Sequence, residues 1–257
     1  MNQPMVCMTA DVHHNLGDAA EKFSKYEHIH TEEYQQILEN YGGTATYFVT
    51  GKCIDENIEF WKEFIKKEIE LGGHTYWAFR PRIVLRINMK LFRSLYGGKF
   101  YKKLDISKSI KAFKKLNINM KIWRTHTYLR DDYVYNTLKE NGIKIISDMK
   151  RNDLELYNID NLIHVPMTCL TDDKIHALHC TGDDRIEIHY EWKRIRDDIL
   201  SKINLNKDLV ILLHPSTMKL LDKFKSFEDI VKLLLDRNYR FVNMSTLVKE
   251  KFDEIII

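Results

Sequence analysis

Uninterrupted apolar runs alternate along this chain with segments in which apolar residues recur every three or four positions. Runs of the first kind are typical of strands buried on both faces of a sheet, and segments of the second kind are typical of amphipathic helices. Residues 5–9, 44–49 and 209–213 are the clearest predicted strands. Because strand and helix patterns alternate from end to end, the sequence predicts an α/β fold with parallel strands and helical crossovers.

Helical periodicity predicts the segments that connect these strands. The longest apolar stripe predicts a helix over residues 55–71, which Gly72 and Gly73 would end. Thr31 and the two acidic residues after it predict the beginning of a helix over residues 31–40. Further helices are predicted over residues 105–116, 131–141, 190–204 and 226–237.

Composition and charge argue against several classes of protein. The chain has 257 residues, of which 40 are Lys or Arg and 37 are Asp or Glu, and its net charge of +3 gives no general case for a nucleic-acid partner. Four scattered cysteines argue against a disulfide framework. No apolar run of about 20 residues is present to span a bilayer, and the N-terminus does not resemble a signal peptide. We therefore expect a cytoplasmic protein without a transmembrane segment.

Ionisable side chains stand directly after two of the predicted strands. Asp11 follows the first, with His13 and His14 close behind it, and His214 follows residues 209–213. Because the carboxyl ends of parallel strands meet at one edge of a sheet, Asp11 and His214 are candidates for a general base and a general acid. Taken singly, the Asp could cap a turn and the His could be structural. Neighbouring strand residues face opposite sides, so we expect His13 rather than His14 to share the side of Asp11.

Two further stretches carry chemistry. His74 follows the glycine pair, and together with His13 it is a candidate metal ligand because neutral imidazole suits zinc. Arg124 follows the predicted strand 120–123 and could either pair with a surface acid or hold a carboxylate and lower its pKa. His126 is one more candidate ligand or substrate contact.

Other catalytic patterns are weak or absent. His176, His179 and Cys180 could suggest a Cys-His hydrolase, but they lie in residues 150–185, a polar stretch predicted to be irregular apart from one short strand. A G-x-S-x-G elbow, a G-x-G-x-x-G loop and a Walker motif are all missing from the sequence.

Six stretches in order carry a resemblance to a known family: residues 9–13 (TADVH), 45–51 (ATYFVTG), 72–78 (GGHTYWA), 124–127 (RTHT), 136–148 (NTLKENGIKIISD) and 213–214 (LH). They resemble the motifs of the polysaccharide deacetylase family, which is carbohydrate esterase family 4 with the NodB-homology fold. The resemblance runs over nearly the whole chain. It implies a distorted (β/α) barrel, a single polysaccharide deacetylase-like domain over residues 1–257, and removal of an acetyl group from an N-acetylated sugar.

The resemblance also implies roles for single residues. Asp11 would be the base that deprotonates the attacking water, while a divalent metal, expected to be zinc, polarises the acetamide carbonyl. Arg124 would orient Asp11, and His214 would protonate the departing amine. The backbone N–H of Thr127 would help to hold the oxyanion.

The metal motifs depart from the family's Asp-His-His triad. His13 occupies the Asp position, Ala78 occupies the second His position, and His74 alone is unchanged. His126 replaces the family's Pro. We expect a site rebuilt from His13, His74 and either His14 or His126, since nitrogen ligands suit zinc. The alternatives are a catalytically weakened carbohydrate-binding protein and a hydrolase of another C–N bond, such as a formamide or a small cyclic amide.

Residues 79–103 combine basic, aromatic and aliphatic side chains. This composition is typical of a segment that contacts a phosphate-bearing carrier or a membrane surface, although a solvated helix face would have it too. We therefore expect a carbohydrate substrate, with a nucleotide- or lipid-linked sugar as one form of it, and peripheral membrane contact as one role of the segment.

Overall fold

The computed structural model describes residues 3–16, 25–67, 69–79, 82–129, 131–181 and 185–256. Its described strands form one nine-stranded sheet. The strands are β1 (Met5–Val12), β2 (Ala45–Val49), β3 (Glu70–Gly73), β4 (Ile122–Trp123), β5 (Ile145–Ile146), β6 (Tyr157–Ile159), β7 (Leu162–His164), β8 (Leu209–Leu212) and β9 (Arg240–Phe241).

The sheet curls into a half-barrel with the strand order β6-β7-β5-β4-β3-β2-β1-β8, and β9 pairs with the beginning of β1. Its strand pairs are parallel, except that β6 and β7 form an antiparallel hairpin. Beyond β7, the backbone N–H of Thr168 donates to the carbonyl of Val210 in β8 at 2.9 Å. This contact brings the two ends of the sheet together, and the predicted distorted (β/α) barrel is confirmed.

Helices cover the outside of the curled sheet. They are α1 (Glu27–Asn40), α2 (Gly51–Glu56), α3 (Ile58–Phe64), α4 (Arg82–Phe92), α5 (Lys99–Lys114), α6 (Asp132–Glu140), α7 (Asp173–Thr181), α8 (Arg185–Asn204), α9 (Pro215–Asp222), α10 (Lys225–Asp236) and α11 (Met244–Ile256). A short 3₁₀ helix spans His126–Tyr128. Among the described residues, no helix combines the length and the apolar character that a membrane crossing requires.

The central strand β1 shows how the sheet positions the site. All eight of its residues are buried. Val6, Met8 and Ala10 pack into the core beneath the helices, whereas Met5 and Cys7 pack into a second core inside the curl. Because strand side chains alternate between the two faces, the inner row continues from Cys7 to Asp11 and then towards His13. The apolar beginning of the strand thus fixes the face on which its polar end appears.

The predicted helix over residues 55–71 is correct only in part. The chain is helical over Gly51–Glu56 and Ile58–Phe64, with a break at Asn57, whose side chain donates to the carbonyl of Cys53 at 3.1 Å. Such local bonds of Asn compete with the helical backbone. Residues Glu70–Gly73 form β3 instead, because they pair with β2. The glycine pair therefore lies in a strand and does not end a helix.

Two other predicted elements also differ from the structure. Helix α1 begins at Glu27, so Thr31 lies inside it, where its buried hydroxyl donates to the carbonyl of Glu27 at 2.7 Å. This bond to the preceding turn satisfies the hydroxyl of Thr31, which therefore does not cap the helix. The predicted irregular stretch 150–185 contains β6 and α7, and α7 carries His176 on its first turns.

Candidate active site

Asp11 lies at the carboxyl end of β1, only 3% exposed, and is held by a buried arginine. Asp11 Oδ1 accepts a hydrogen bond from Arg124 Nη1 at 2.8 Å. The remaining N–H groups of Arg124 donate to Ser147 and to the hydroxyl of Thr9, and its guanidinium stacks 4.0 Å from the ring of Phe48. The guanidinium is therefore fixed from several sides, and it fixes the Asp11 carboxylate in turn.

The same neighbours set the charge of Asp11. Burial disfavours the ionised carboxyl, but the charges of His74, Arg124 and His214 outweigh burial and lower the pKa of Asp11 below its usual range. Because His74 is itself uncharged at neutral pH, Arg124 and His214 supply the positive charge there. Asp11 is therefore an anion at neutral pH. Its second oxygen, Oδ2, lies 3.6 Å from His74 Nε2, on the side of the histidines.

Three histidines meet beside Asp11. His126 Nδ1 lies 3.3 Å from His13 Nε2 and 3.1 Å from His74 Nε2. His74 Nδ1 lies 2.8 Å from the carbonyl oxygen of Arg124. Because a carbonyl can only accept, Nδ1 of His74 carries the hydrogen, and the lone pair of its Nε2 points into the cluster. We call His13, His74 and His126 the histidine cluster.

The histidine cluster fits a divalent cation such as zinc. Two nitrogen ligands of tetrahedral zinc lie about 3.3 Å apart, which the two separations from His126 Nδ1 approach. Burial lowers the pKa of His74 to about 3 and holds the pKa of His126 well below its ordinary value. Both imidazoles are therefore neutral at physiological pH, which is the form that binds metals.

A buried carboxyl group stands behind His13. Glu27, the first residue of α1, is fully buried, and its Oε1 lies 3.5 Å from His13 Nδ1. Neither this nitrogen nor the Glu27 oxygens have a hydrogen-bond partner within the described residues. A carboxylate behind a metal-binding imidazole orients the ring and fixes its tautomer. Sequence analysis missed Glu27, because it belongs to none of the motifs and no periodic pattern sets it apart.

His214 follows β8 and precedes Pro215, which begins α9. Asp172 holds it twice: its carboxylate accepts from the His214 backbone N–H at 2.8 Å and pairs with Nδ1 at 2.7 Å. Burial opposes protonation, but Asp172 outweighs it and raises the pKa of His214 to about 10. His214 is therefore an imidazolium at neutral pH. Asp172, which precedes α7, was not identified from the sequence.

A stack of rings connects His214 to the histidine cluster. The ring of His214 lies 4.4 Å from that of His176 and 5.8 Å from that of His13. His13, His176 and His214 form a second grouping of potential metal ligands. This second grouping fits a metal ion less well than the histidine cluster does. The lone pairs of stacked rings point side by side and do not converge on one point, and His214 already pairs with Asp172. His176 joins the site from the helix that the sequence did not predict.

The remaining candidate residues are His14 and Thr127. The backbone N–H of His14 donates to the hydroxyl of Thr50, and none of the three-residue groupings among the described residues includes His14. Thr127 follows His126 in the 3₁₀ helix with a left-handed φ of 59°. The ring of Phe79 lies 5.3 Å from that of His126 and 4.9 Å from that of Tyr96, so Phe79 borders the cluster and Tyr96 packs against Phe79.

Comparison with known proteins identifies the fold. No family model matches the sequence, and no curated protein gives a significant match. A protein assigned as a polysaccharide deacetylase, from Mycobacterium smegmatis, matches in structure with a TM-score of 0.71 at 12% identity, over 96% of this chain and 90% of its own. The peptidoglycan deacetylase PdaC of Bacillus subtilis, in a mutant form, matches with a TM-score of 0.60 at 15% identity, over 98% and 94%.

A third match is a pseudoenzyme of carbohydrate esterase family 4 from Bacillus anthracis, with a TM-score of 0.58 at 17% identity, over 96% of this chain and 66% of that one. A mutant of that pseudoenzyme with restored enzymatic activity matches at a TM-score of 0.57. At such identities the likeness concerns the fold, and it extends over almost the whole chain in each case. The chain therefore has the fold of the polysaccharide deacetylases of carbohydrate esterase family 4.

Proposed function

We propose that this protein is a metal-dependent hydrolase that removes the acetyl group from an N-acetylated sugar. One observation carries the proposal. An anionic carboxylate, Asp11, lies beside His74 of the histidine cluster, and a protonated imidazole, His214, lies beside His13 of the same cluster. A base, an acid and a metal-binding group are the components that hydrolysis of an amide requires.

His13, His74 and His126 would hold the metal. A bound divalent ion supplies a Lewis acid for the acetamide carbonyl and lowers the pKa of water. Asp11 Oδ2 takes the proton of the attacking water, and Arg124 keeps Asp11 ionised and oriented. His214 donates its proton to the sugar nitrogen as the C–N bond breaks, so that acetate and a free amine leave. The N–H of Thr127 is the proposed donor to the oxyanion.

The N-acetylated carbohydrate is the substrate class that we propose, since the structural neighbours include deacetylases of polysaccharide and peptidoglycan. A nucleotide or lipid carrier on that sugar stays a prediction from the sequence. So do the cytoplasmic location and the single domain over residues 1–257.

A second candidate function is carbohydrate binding without hydrolysis. Two observations favour it: His13 and Ala78 stand where the family motifs have metal ligands, and a pseudoenzyme shares the fold. Metal analysis of the purified protein separates the candidates. Zinc in a 1:1 ratio that is lost in His74→Ala supports the hydrolase. Sugar binding in a protein that takes up no metal supports the binding protein.

The decisive experiment measures acetate released from N-acetylated oligosaccharides by the metal-loaded protein. We expect Asp11→Asn to reduce kcat by about 10²- to 10⁴-fold, because the amide cannot accept the proton. An Asp11→Asn variant with full activity would refute Asp11 as the base. Release of formate instead of acetate from a panel of amides would assign the protein to another class of C–N hydrolase.

A further inference from the structure

Helix α4 exposes an apolar stripe to solvent. Ile83, Ile87 and Leu91 are 65%, 48% and 66% exposed, and their spacing of four places them on one face. Asn88, on the other face, is buried. Phe100 at the beginning of α5 is 82% exposed. Large apolar side chains exposed to this extent form a hydrophobic patch of the kind that marks an interaction site.

Basic side chains lie along one side of the stripe. Arg86, Lys90, Arg93 and Lys103 are exposed, and residues 82–104 contain no Asp or Glu. Within the described part of the chain, none of these four cations forms an ion pair, unlike Lys102, which pairs with Asp131. We call the stripe with these four cations the α4 surface. Its positive charge is therefore not neutralised by the protein itself.

We infer that the α4 surface binds an anionic lipid bilayer, with α4 lying along the interface between headgroups and acyl chains. Apolar side chains on one face and cations beside them are what such interfacial helices present to anionic lipids. The absence of a membrane-spanning helix in the described residues agrees with a peripheral contact.

Charge and polarity argue against the other occupants. A second copy of the chain would bring an identical positive surface against this one, and like charges across an interface disfavour it. A nucleic acid would neutralise the cations but would leave Ile83, Ile87 and Leu91 against a charged backbone. A bilayer with anionic headgroups satisfies both parts of the surface at once. The inference does not depend on the proposed hydrolase activity.

The experiment is flotation of the full chain with vesicles of phosphatidylcholine alone and of phosphatidylcholine mixed with phosphatidylglycerol. We expect binding to the mixed vesicles only, and weaker binding as salt is raised. Arg86→Gln with Lys90→Gln should weaken binding about fivefold for each charge removed. Ile87→Ser with Leu91→Ser should weaken it about tenfold or more.

The matched control is Ile186→Ser with Leu205→Ser, which removes two apolar side chains, 85% and 64% exposed, from α8 and the segment after it. This variant should bind the vesicles like the wild type. The inference is refuted if the wild type does not float with mixed vesicles, or if the α4 variants float as well as it does. It is also refuted if those variants instead abolish a dimer seen by light scattering, since the occupant is then a second copy.

Discussion

At the scale of single residues, the site is a set of ionisable groups whose protonation is set by burial and by neighbouring charged groups. Arg124 keeps Asp11 anionic, Asp172 keeps His214 cationic, and burial keeps His74 neutral. Each partner lies on a different element from the group that it controls. The chemistry of the pocket therefore depends on groups that would not themselves touch the substrate.

Glu27 allows this dependence to be tested through metal affinity. Because its carboxyl orients His13 from behind, Glu27→Gln should raise the Kd for zinc by about 10- to 100-fold. The Kd can be measured by competition with a coloured chelator, without any substrate. Glu32→Gln, on the exposed side of the same helix, should leave the Kd unchanged. Equal affinities in wild type and Glu27→Gln would mean that Glu27 has no role in holding the metal.

The pH dependence of activity tests Asp172. The pKa of His214 is raised to about 10, so its imidazole stays protonated through the neutral range. It loses its proton only as pH rises through that value. Its contribution to stability has the same sign: it is complete below the ordinary pKa of 6.5 and disappears towards pH 10. In Asp172→Asn, burial is no longer outweighed, and the alkaline limb of kcat should move into the neutral range.

A pH profile of kcat for Asp172→Asn and for the exposed variant Asp197→Asn provides the measurement. The second variant should keep the wild-type profile, since Asp197 is exposed on α8, where it pairs with Arg196. If both variants keep the wild-type pH profile, His214 is not the proton donor.

At the scale of elements, local patterns predicted most strands and helices, and contacts distant in sequence explain the exceptions. β1 and β8 were evident because apolar runs buried on both faces are a strong local signal. The stripe over residues 55–71 has a helical period, but its last residues pair with β2, and no local signal shows that pairing. Helix α7 was missed because its polar sequence resembles an irregular segment.

The glycine pair of β3 provides a test at this scale. A Cβ on Gly73 would overlap the ring of Trp123 and the sulfur of Met120. Gly73→Ala should therefore lower the free energy of unfolding by about 1–3 kcal/mol in a urea titration. Gly43→Ala is the control, because its Cβ would lie 3.2 Å from the ring of Phe241, which needs to shift only slightly. Similar losses in both variants would contradict the close approach in β3.

At the scale of the whole molecule, the curled sheet gathers side chains that are remote in the chain. Asp11 lies at the carboxyl end of β1, and His74, Arg124 and His214 follow β3, β4 and β8. The sequence predicted Asp11, Arg124 and His214 from their places at strand ends, whereas it predicted His74 from its place after a glycine pair. Glu27 and Asp172 could not be predicted in this way, because they reach the pocket from a helix and a loop. Strand ends thus carry a local signal, whereas supporting carboxyl groups are defined only by the assembled fold.

Because the site joins residues that are remote in the chain, we expect a bound metal to stabilise the entire fold. His13, His74 and His126 come from three separate segments, and a ligand that binds only the folded state stabilises it by about 2.7 kcal/mol at a hundredfold excess over Kd. We expect zinc to raise Tm by about 5–10 °C and EDTA to reverse the change. His74→Ala should show neither effect. A wild-type Tm that ignores both zinc and EDTA would contradict a metal site in the cluster.

The contact of Phe79 with both His126 and Tyr96 has a kinetic consequence. Helix α4 begins only a few residues after Phe79, so any reorientation of that helix on lipid reaches His126 through one aromatic ring. Turnover would then respond to the area of bilayer offered in the assay as well as to the bulk concentration of sugar.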